Sequence, residues 1–137
     1  MRFASTRLGD LDIDEDAIIE FPSGLIGLGG SRYAIVATDE ESSFRWLQSL
    51  DDPGLALPIT NPFLFYEDYA VDLSDADTTR VGAEDAGSVD VWVIVRAAAD
   101  PGATTVNLKA PIVIHNHRGH QVINEAAGAD VRAPLFG

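Results

Sequence analysis

Cysteine is absent from this 137-residue chain. That excludes a disulfide framework and a thiolate metal site, and it leaves nothing that reports an oxidising compartment. Positive charge is scarce as well: 9 Lys and Arg stand against 22 Asp and Glu, for a formal net charge of −13. A surface of that sign repels phosphate backbones, because nucleic-acid affinity rests on Lys and Arg displacing counterions, so direct DNA or RNA binding is not expected. The same surface favours encounter with basic partners, through attraction that salt weakens. No apolar run approaches the roughly 18 residues that span a bilayer. The first residues, Met1-Arg2-Phe3-Ala4-Ser5-Thr6-Arg7, carry no apolar stretch of the signal-peptide kind. The expectation is a soluble, cytoplasmic protein with no membrane partner.

Helical periodicity is sparse. What recurs is period 2 and short β-branched runs, the mark of strands half or fully buried in a sheet. A first hairpin is expected from residues 2–8 and 11–14 around Gly9-Asp10, with Leu11 and Ile13 inward and Asp12 and Asp14 in water. Further strands are expected at Ile18–Phe21, Tyr33–Thr38, Phe44–Ser49, Leu55–Thr60, Ala70–Leu73, Val91–Ala97, Thr104–Lys109, Ile112–Asn116 and His120–Asn124. The last two flank His117-Arg118-Gly119, read as a tip where Gly supplies a positive φ. About ten short strands, mainly antiparallel, predict a small all-β, barrel-like domain over residues 1–137, since closure removes exposed edges. Residues 74–90 break the rhythm with a polar excursion that fits a short helix capped by Ser74. One or two such helices are expected in all. The stretch 125–137 has little apolar content before Leu135-Phe136 and is expected to lie loosely on the domain.

Motifs for chemistry fail one by one. Asp10-x-Asp12-x-Asp14 opens like a calcium loop, yet Glu15 and Phe21 stand where such loops place Gly and Glu. Gly24-Leu25-Ile26-Gly27-Leu28-Gly29-Gly30 lacks both the dinucleotide spacing and a P-loop lysine. His115, His117 and His120 are the best metal candidates by type, but no Asp or Glu lies between residues 101 and 124 to orient them, so polar residues around a hairpin tip are the plainer reading. No Gly-x-Ser-x-Gly elbow is present, and Asp51-Asp52 and Glu67-Asp68 read as solvated pairs. No enzyme, resident metal or cofactor is expected.

One stretch concentrates aromatics and acids: Trp46-Leu47-Gln48-Ser49-Leu50-Asp51-Asp52-Pro53 through Asn61-Pro62-Phe63-Leu64-Phe65-Tyr66-Glu67-Asp68-Tyr69. Trp46 and Phe63 are expected in the core, while Tyr66 and Tyr69 beside Glu67 and Asp68 suit an exposed protein-binding surface. This stretch resembles the flagellar assembly factor FliW family, with its Trp-Leu-Gln-Ser-Leu-Asp-Asp-Pro run and the aromatic, acidic turn that follows. Phe21-Pro22-Ser23-Gly24-Leu25, Asn107-Leu108-Lys109-Ala110-Pro111-Ile112-Val113-Ile114, Gly119-His120-Gln121-Val122 and Arg132-Ala133-Pro134-Leu135 are similar to further family segments, in order along nearly the whole chain. Departures are a missing Phe in the glycine-rich loop, Pro58 within a strand, which suggests an edge or bulged strand, and Asn61 where many members carry Asp.

The resemblance implies a cytoplasmic regulator that binds flagellin and, when flagellin is exported, binds the basic translational repressor CsrA. It then antagonises CsrA allosterically and relieves repression of flagellin mRNA. Asn61, Tyr66, Glu67, Asp68 and Tyr69 are the expected partner-binding residues, with Asp51 and Asp52 as electrostatic support. Rival readings are a chaperone for flagellin alone and a small β-barrel enzyme or ligand- or metal-binding protein that uses the histidine hairpin or a carboxylate pair.

Overall fold

Val91-Trp92-Val93-Ile94-Val95 and Ile112-Val113-Ile114 lack the polar alternation of a strand with one wet face. The computed structural model explains this: both faces of these strands are covered. It describes residues 1–28, 31–126 and 129–135, with nothing said of the side chains of Ala86 and Pro101. Among them lie eleven strands: β1 Arg2–Ser5, β2 Gly9–Asp12, β3 Ile18–Glu20, β4 Arg32–Val36, β5 Phe44–Ser49, β6 Ala56–Thr60, β7 Asp90–Arg96, β8 Thr105–Val106, β9 Ile112–His115, β10 Arg118–Gln121 and β11 Ala133–Pro134. One α-helix, α1, spans Asp75–Val81. Ser74 and Asp77 form the reciprocal capping box at its start, and Gly82 ends it in the left-handed conformation.

Strands β7, β6, β5, β4, β3, β10 and β9 pair in that order, and β9 pairs again with β7, which closes a seven-stranded barrel. All these pairings are antiparallel except β3 with β10, which is parallel and registered only at Arg118 and Glu20. The all-β barrel expected from the sequence is the fold observed.

Alternation distributes side chains between the barrel interior and three outer layers. Tyr33, Leu47, Ile59, Ile112 and Ile114 fill the interior with Ile19, Phe21 and Leu25. From the same strands Ala34 turns outward to meet Ile13 and Leu50 under the β1–β2 hairpin, while Val113 meets Val81 and Val122 under α1. Val93 and Val95 face a third layer built from Val106, Leu108, Ala133 and Leu135.

Several local expectations are corrected. The first hairpin turns at residues 6–8, and Gly9, with φ of +80°, already pairs with Ser5. At the last hairpin Asn116 supplies the positive φ (54°), while Arg118 and Gly119 belong to β10. Gly119 is needed for space: a Cβ there would lie 2.5 Å from Cε2 and Cζ of Phe21. Pro58 lies within the barrel wall, between β5 and β7, and is not on an edge. The β7 ladder meets β6 only at Ile59 and Thr60, so the absent N–H interrupts no registered pair on that side.

Residues 70–73 pair with no strand and are instead held by the side chain of Asn124. The C-terminal stretch is tied down rather than loose between residues 129 and 135. There β11 pairs with β8, Ala133 and Leu135 are buried, and the Leu108 N–H donates to the Asp130 carbonyl at 2.8 Å. Residues 127–128 and 136–137, including Phe136, lie outside the described residues.

Candidate protein-binding surface

The β5–β6 ladder runs from Phe44 paired with Thr60 to Gln48 paired with Ala56. Asp51 and Asp52 follow its closed end, whereas Asn61 to Tyr69 follow its open end. Four strand residues separate these ends, roughly 13 Å at the usual rise, so the structure divides the seven expected partner-binding residues between two ends of the barrel.

At the closed end the carboxylates have internal work. Asp51 Oδ2 accepts from the N–H groups of Ser31 and Arg32 at 2.8 and 3.0 Å, and Arg32 pairs with its other oxygen at 3.6 Å. These two backbone donors, aided by the guanidinium, hold the Asp51 carboxyl below its ordinary pKa. Asp52 accepts from the N–H of Gly54 at 2.9 Å and shapes the β5–β6 turn.

At the open end Asn61 caps a single 3-10 turn, Pro62–Leu64, by accepting from the Phe63 N–H at 3.0 Å. Proline at the next position suits this start, because its ring presets φ and its missing N–H would be unpaired there anyway. Tyr66 and Tyr69, expected as exposed anchors, are half-buried braces. The Tyr66 hydroxyl donates to the Pro134 carbonyl, and that of Tyr69 donates to the Leu108 carbonyl at 2.7 Å. Burial raises the pKa of both phenols. Glu67 and Asp68 are exposed as expected.

Phe63 reverses expectation: 48% of it is exposed, and its neighbour Leu64 is 62% exposed. The missed signal is Asn61-Pro62, which starts a tight turn and turns the following pair outward from the strand pattern. Trp46, expected in the core, is half-buried, with the Arg7 guanidinium 5.4 Å over its ring.

The three histidines do not converge. Among the described residues no group of three His, Asp or Glu side chains is placed to hold a metal ion. His115 Nδ1 lies 3.3 Å from the Val81 carbonyl, and His120 Nε2 lies 3.9 Å from Asp77 Oδ1. Burial, assisted by Arg80, depresses the His120 pKa against the opposing pull of Asp77. The unfolded chain therefore takes up this proton more readily than the folded one. Stability should be fully present above the unfolded value of about 6.5 and decline as pH falls from there through the folded value. Urea midpoints measured from about pH 7 to about pH 5.5 should fall with pH, and His120→Gln should flatten that decline.

An open cleft of about 680 Å³ lies beside the parallel β3–β10 junction, lined by Glu15, Glu20, Arg32, Arg118, His115 and His117 among others. Its charges are mixed. Among the described residues no helix is long and apolar enough to cross a membrane.

The sequence model described as FliW protein matches residues 2–135. This chain belongs to the FliW family. It is 37% identical to the flagellar assembly factor FliW of Clostridium botulinum, with 99% of each chain covered. It is 35% identical to that of Alkaliphilus metalliredigens, over 90% of this chain and 78% of the relative. A crystal structure of the flagellar assembly factor FliW superposes with a TM-score of 0.90 at 30% identity, covering 100% of this chain and 98% of that one.

Polar side chains in three of the segments that carry the FliW resemblance are part of the scaffold. Gln48, fully buried, accepts from the Ser5 hydroxyl at 2.6 Å and donates to the Ser49 carbonyl at 2.8 Å. Asn107 caps the N–H groups of Lys109 and Ala110, and Gln121 joins the Ile26 N–H to the Ala110 carbonyl.

Proposed function

We propose that this FliW family member is a non-enzymatic, cytoplasmic regulator of flagellar assembly. It binds flagellin and, once flagellin has been exported, binds CsrA and antagonises it allosterically, relieving repression of flagellin mRNA. The observation that carries this reading is the family match across residues 2–135, with relatives named flagellar assembly factors. The net charge of −13 supports it, because an acidic surface speeds encounter with a basic partner and disfavours direct contact with RNA.

The partner surface in this reading is the open end of the β5–β6 ladder, where Glu67 and Asp68 are exposed and Asn61, Tyr66 and Tyr69 fix the turn. Asp51 and Asp52 act from the far end only through the long-range field. Glu67→Lys with Asp68→Lys should weaken CsrA binding by roughly tenfold, about 1.4 kcal/mol, and flatten its salt dependence while leaving the melting temperature unchanged. Titration calorimetry at two salt concentrations reads this, and an unaltered affinity removes both residues from the site.

A further inference from the structure

We propose that Phe63 and Leu64 form an apolar knob that seats in a concave apolar pocket, rimmed by Lys and Arg, on the cationic partner. This rests on the regulator reading above and assigns the anchor of that site.

Isolated exposed apolar residues are ordinary on protein surfaces. Here two large ones are adjacent on a convex turn, 48% and 62% exposed. Hydrogen bonds brace the turn from within: the Phe65 and Tyr66 N–H groups donate to the Pro62 carbonyl at 3.1 and 3.0 Å, and Asn61 caps it. The Tyr66 and Tyr69 hydroxyls tie it to Pro134 and Leu108, and the Phe63 ring lies 5.8 Å from that of Tyr69. A knob held this way loses little freedom when it docks, so its burial converts more fully into affinity.

Charge selects the occupant. Every charged residue between Arg45 and Arg80 is an acid, and Glu67 and Asp68 stand exposed beside the knob. The cations on elements packed against the turn are Arg45 on β5, whose guanidinium donates to the Ser42 and Phe44 carbonyls, Arg96 at the end of β7, Arg132 before β11, and Lys109, which pairs with Glu125 at 3.5 Å. Against a net charge of −13 they leave the field anionic. Apolar anchors inside a charged rim are the usual anatomy of a binding hot spot. A convex anchor calls for a concave receptor, and an acidic surround calls for a basic rim.

The test uses the whole chain with purified CsrA as the probe and flagellin as a second titrant. Phe63→Ser with Leu64→Ser should weaken CsrA binding by roughly tenfold or more. The melting temperature, flagellin binding and the salt dependence of the remaining CsrA affinity should stay unchanged. Ile26→Ser, at an exposed apolar position in another loop, should bind as the unaltered chain does. If the double variant melts lower, Leu64→Ser alone is read in its place, and its affinity should still fall. Unaltered CsrA affinity in these variants, or a loss confined to flagellin, overturns the knob and leaves the regulator reading standing. If the unaltered chain binds neither protein, the regulator reading falls and the knob falls with it.

Discussion

Asn124→Ala should lower the unfolding free energy by about 3 kcal/mol, among the largest effects of any single change in this chain. Asn124 is fully buried, and its amide makes four hydrogen bonds. Its oxygen accepts from the N–H groups of Asp72 and Ala126, both at 3.1 Å, and its nitrogen donates to the Tyr69 hydroxyl at 3.2 Å and the Ala70 carbonyl at 2.9 Å. Truncation removes the side-chain partner of the Asp72 and Ala126 N–H groups and of the Ala70 carbonyl, while the Tyr69 hydroxyl keeps its bond to Leu108, at about 1–3 kcal/mol for each group that water cannot reach. Ala70 and Asp72 are exposed residues that water partly satisfies, which keeps the sum near the lower end.

Asn124→Asp is the sharper variant. It removes both donors and places a carboxylate against the Ala70 carbonyl, where burial favours the protonated form. A raised folded pKa means that the penalty shrinks as pH falls and is largest above that pKa. Urea unfolding at about pH 4.5 and pH 7 should therefore show the deficit relative to the unaltered chain growing with pH. Equal deficits at both values would mean that the new carboxyl has reached solvent. Because the same amide secures Tyr69 and residues 70–72, either variant should also loosen the turn that carries Phe63 and Leu64.

Gly119→Ala should cost about 2–3 kcal/mol, since overpacking a well-filled core commonly costs 1–3. The added methyl group would sit 2.5 Å from two carbons of the Phe21 ring. That ring is fully buried and meets Tyr33 edge-on, with centroids 5.3 Å apart, so a shift of the ring disturbs the core around it. Gly54→Ala is the control, because its Cβ would meet only Asp52 Oδ1 at 3.4 Å, and it should change stability by less than about 0.5 kcal/mol. Phe21→Leu in the Gly119→Ala background should recover part of the loss, giving a favourable coupling in a double-mutant cycle. Additive losses would place the strain elsewhere.

The presence and approximate positions of most strands were legible because β-branched runs and period 2 are local signals, and β5 from Phe44 to Ser49 falls where that signal puts it. The start of the helix was legible from the cap chemistry of Ser74. What local pattern does not carry is which backbone a polar side chain will find. Asn124 bonds to residues more than fifty positions away, so its hub role and the docking of residues 70–73 follow from tertiary placement alone. The C-terminal stretch read as loose because its few apolar residues cannot form a core by themselves, yet Ala133 and Leu135 complete one begun by β7 and β8. At the candidate surface the tyrosines were mistaken for an outward face, because their hydroxyl partners lie on other elements. Asp51 and Asp52 are near the turn in sequence and distant in space, since a hairpin sends its two ends in opposite directions.

The parallel contact between β3 and β10 has a bearing on biogenesis. Its two strands are roughly a hundred residues apart in the chain, and non-local pairings of that span form late because loop closure comes first. A chain emerging from the ribosome can build the β4–β5–β6 meander early, but it cannot seal the cylinder until the β9–β10 hairpin is out. Until then β3 keeps an open edge, and such partly translated chains are the species most prone to sticking to one another.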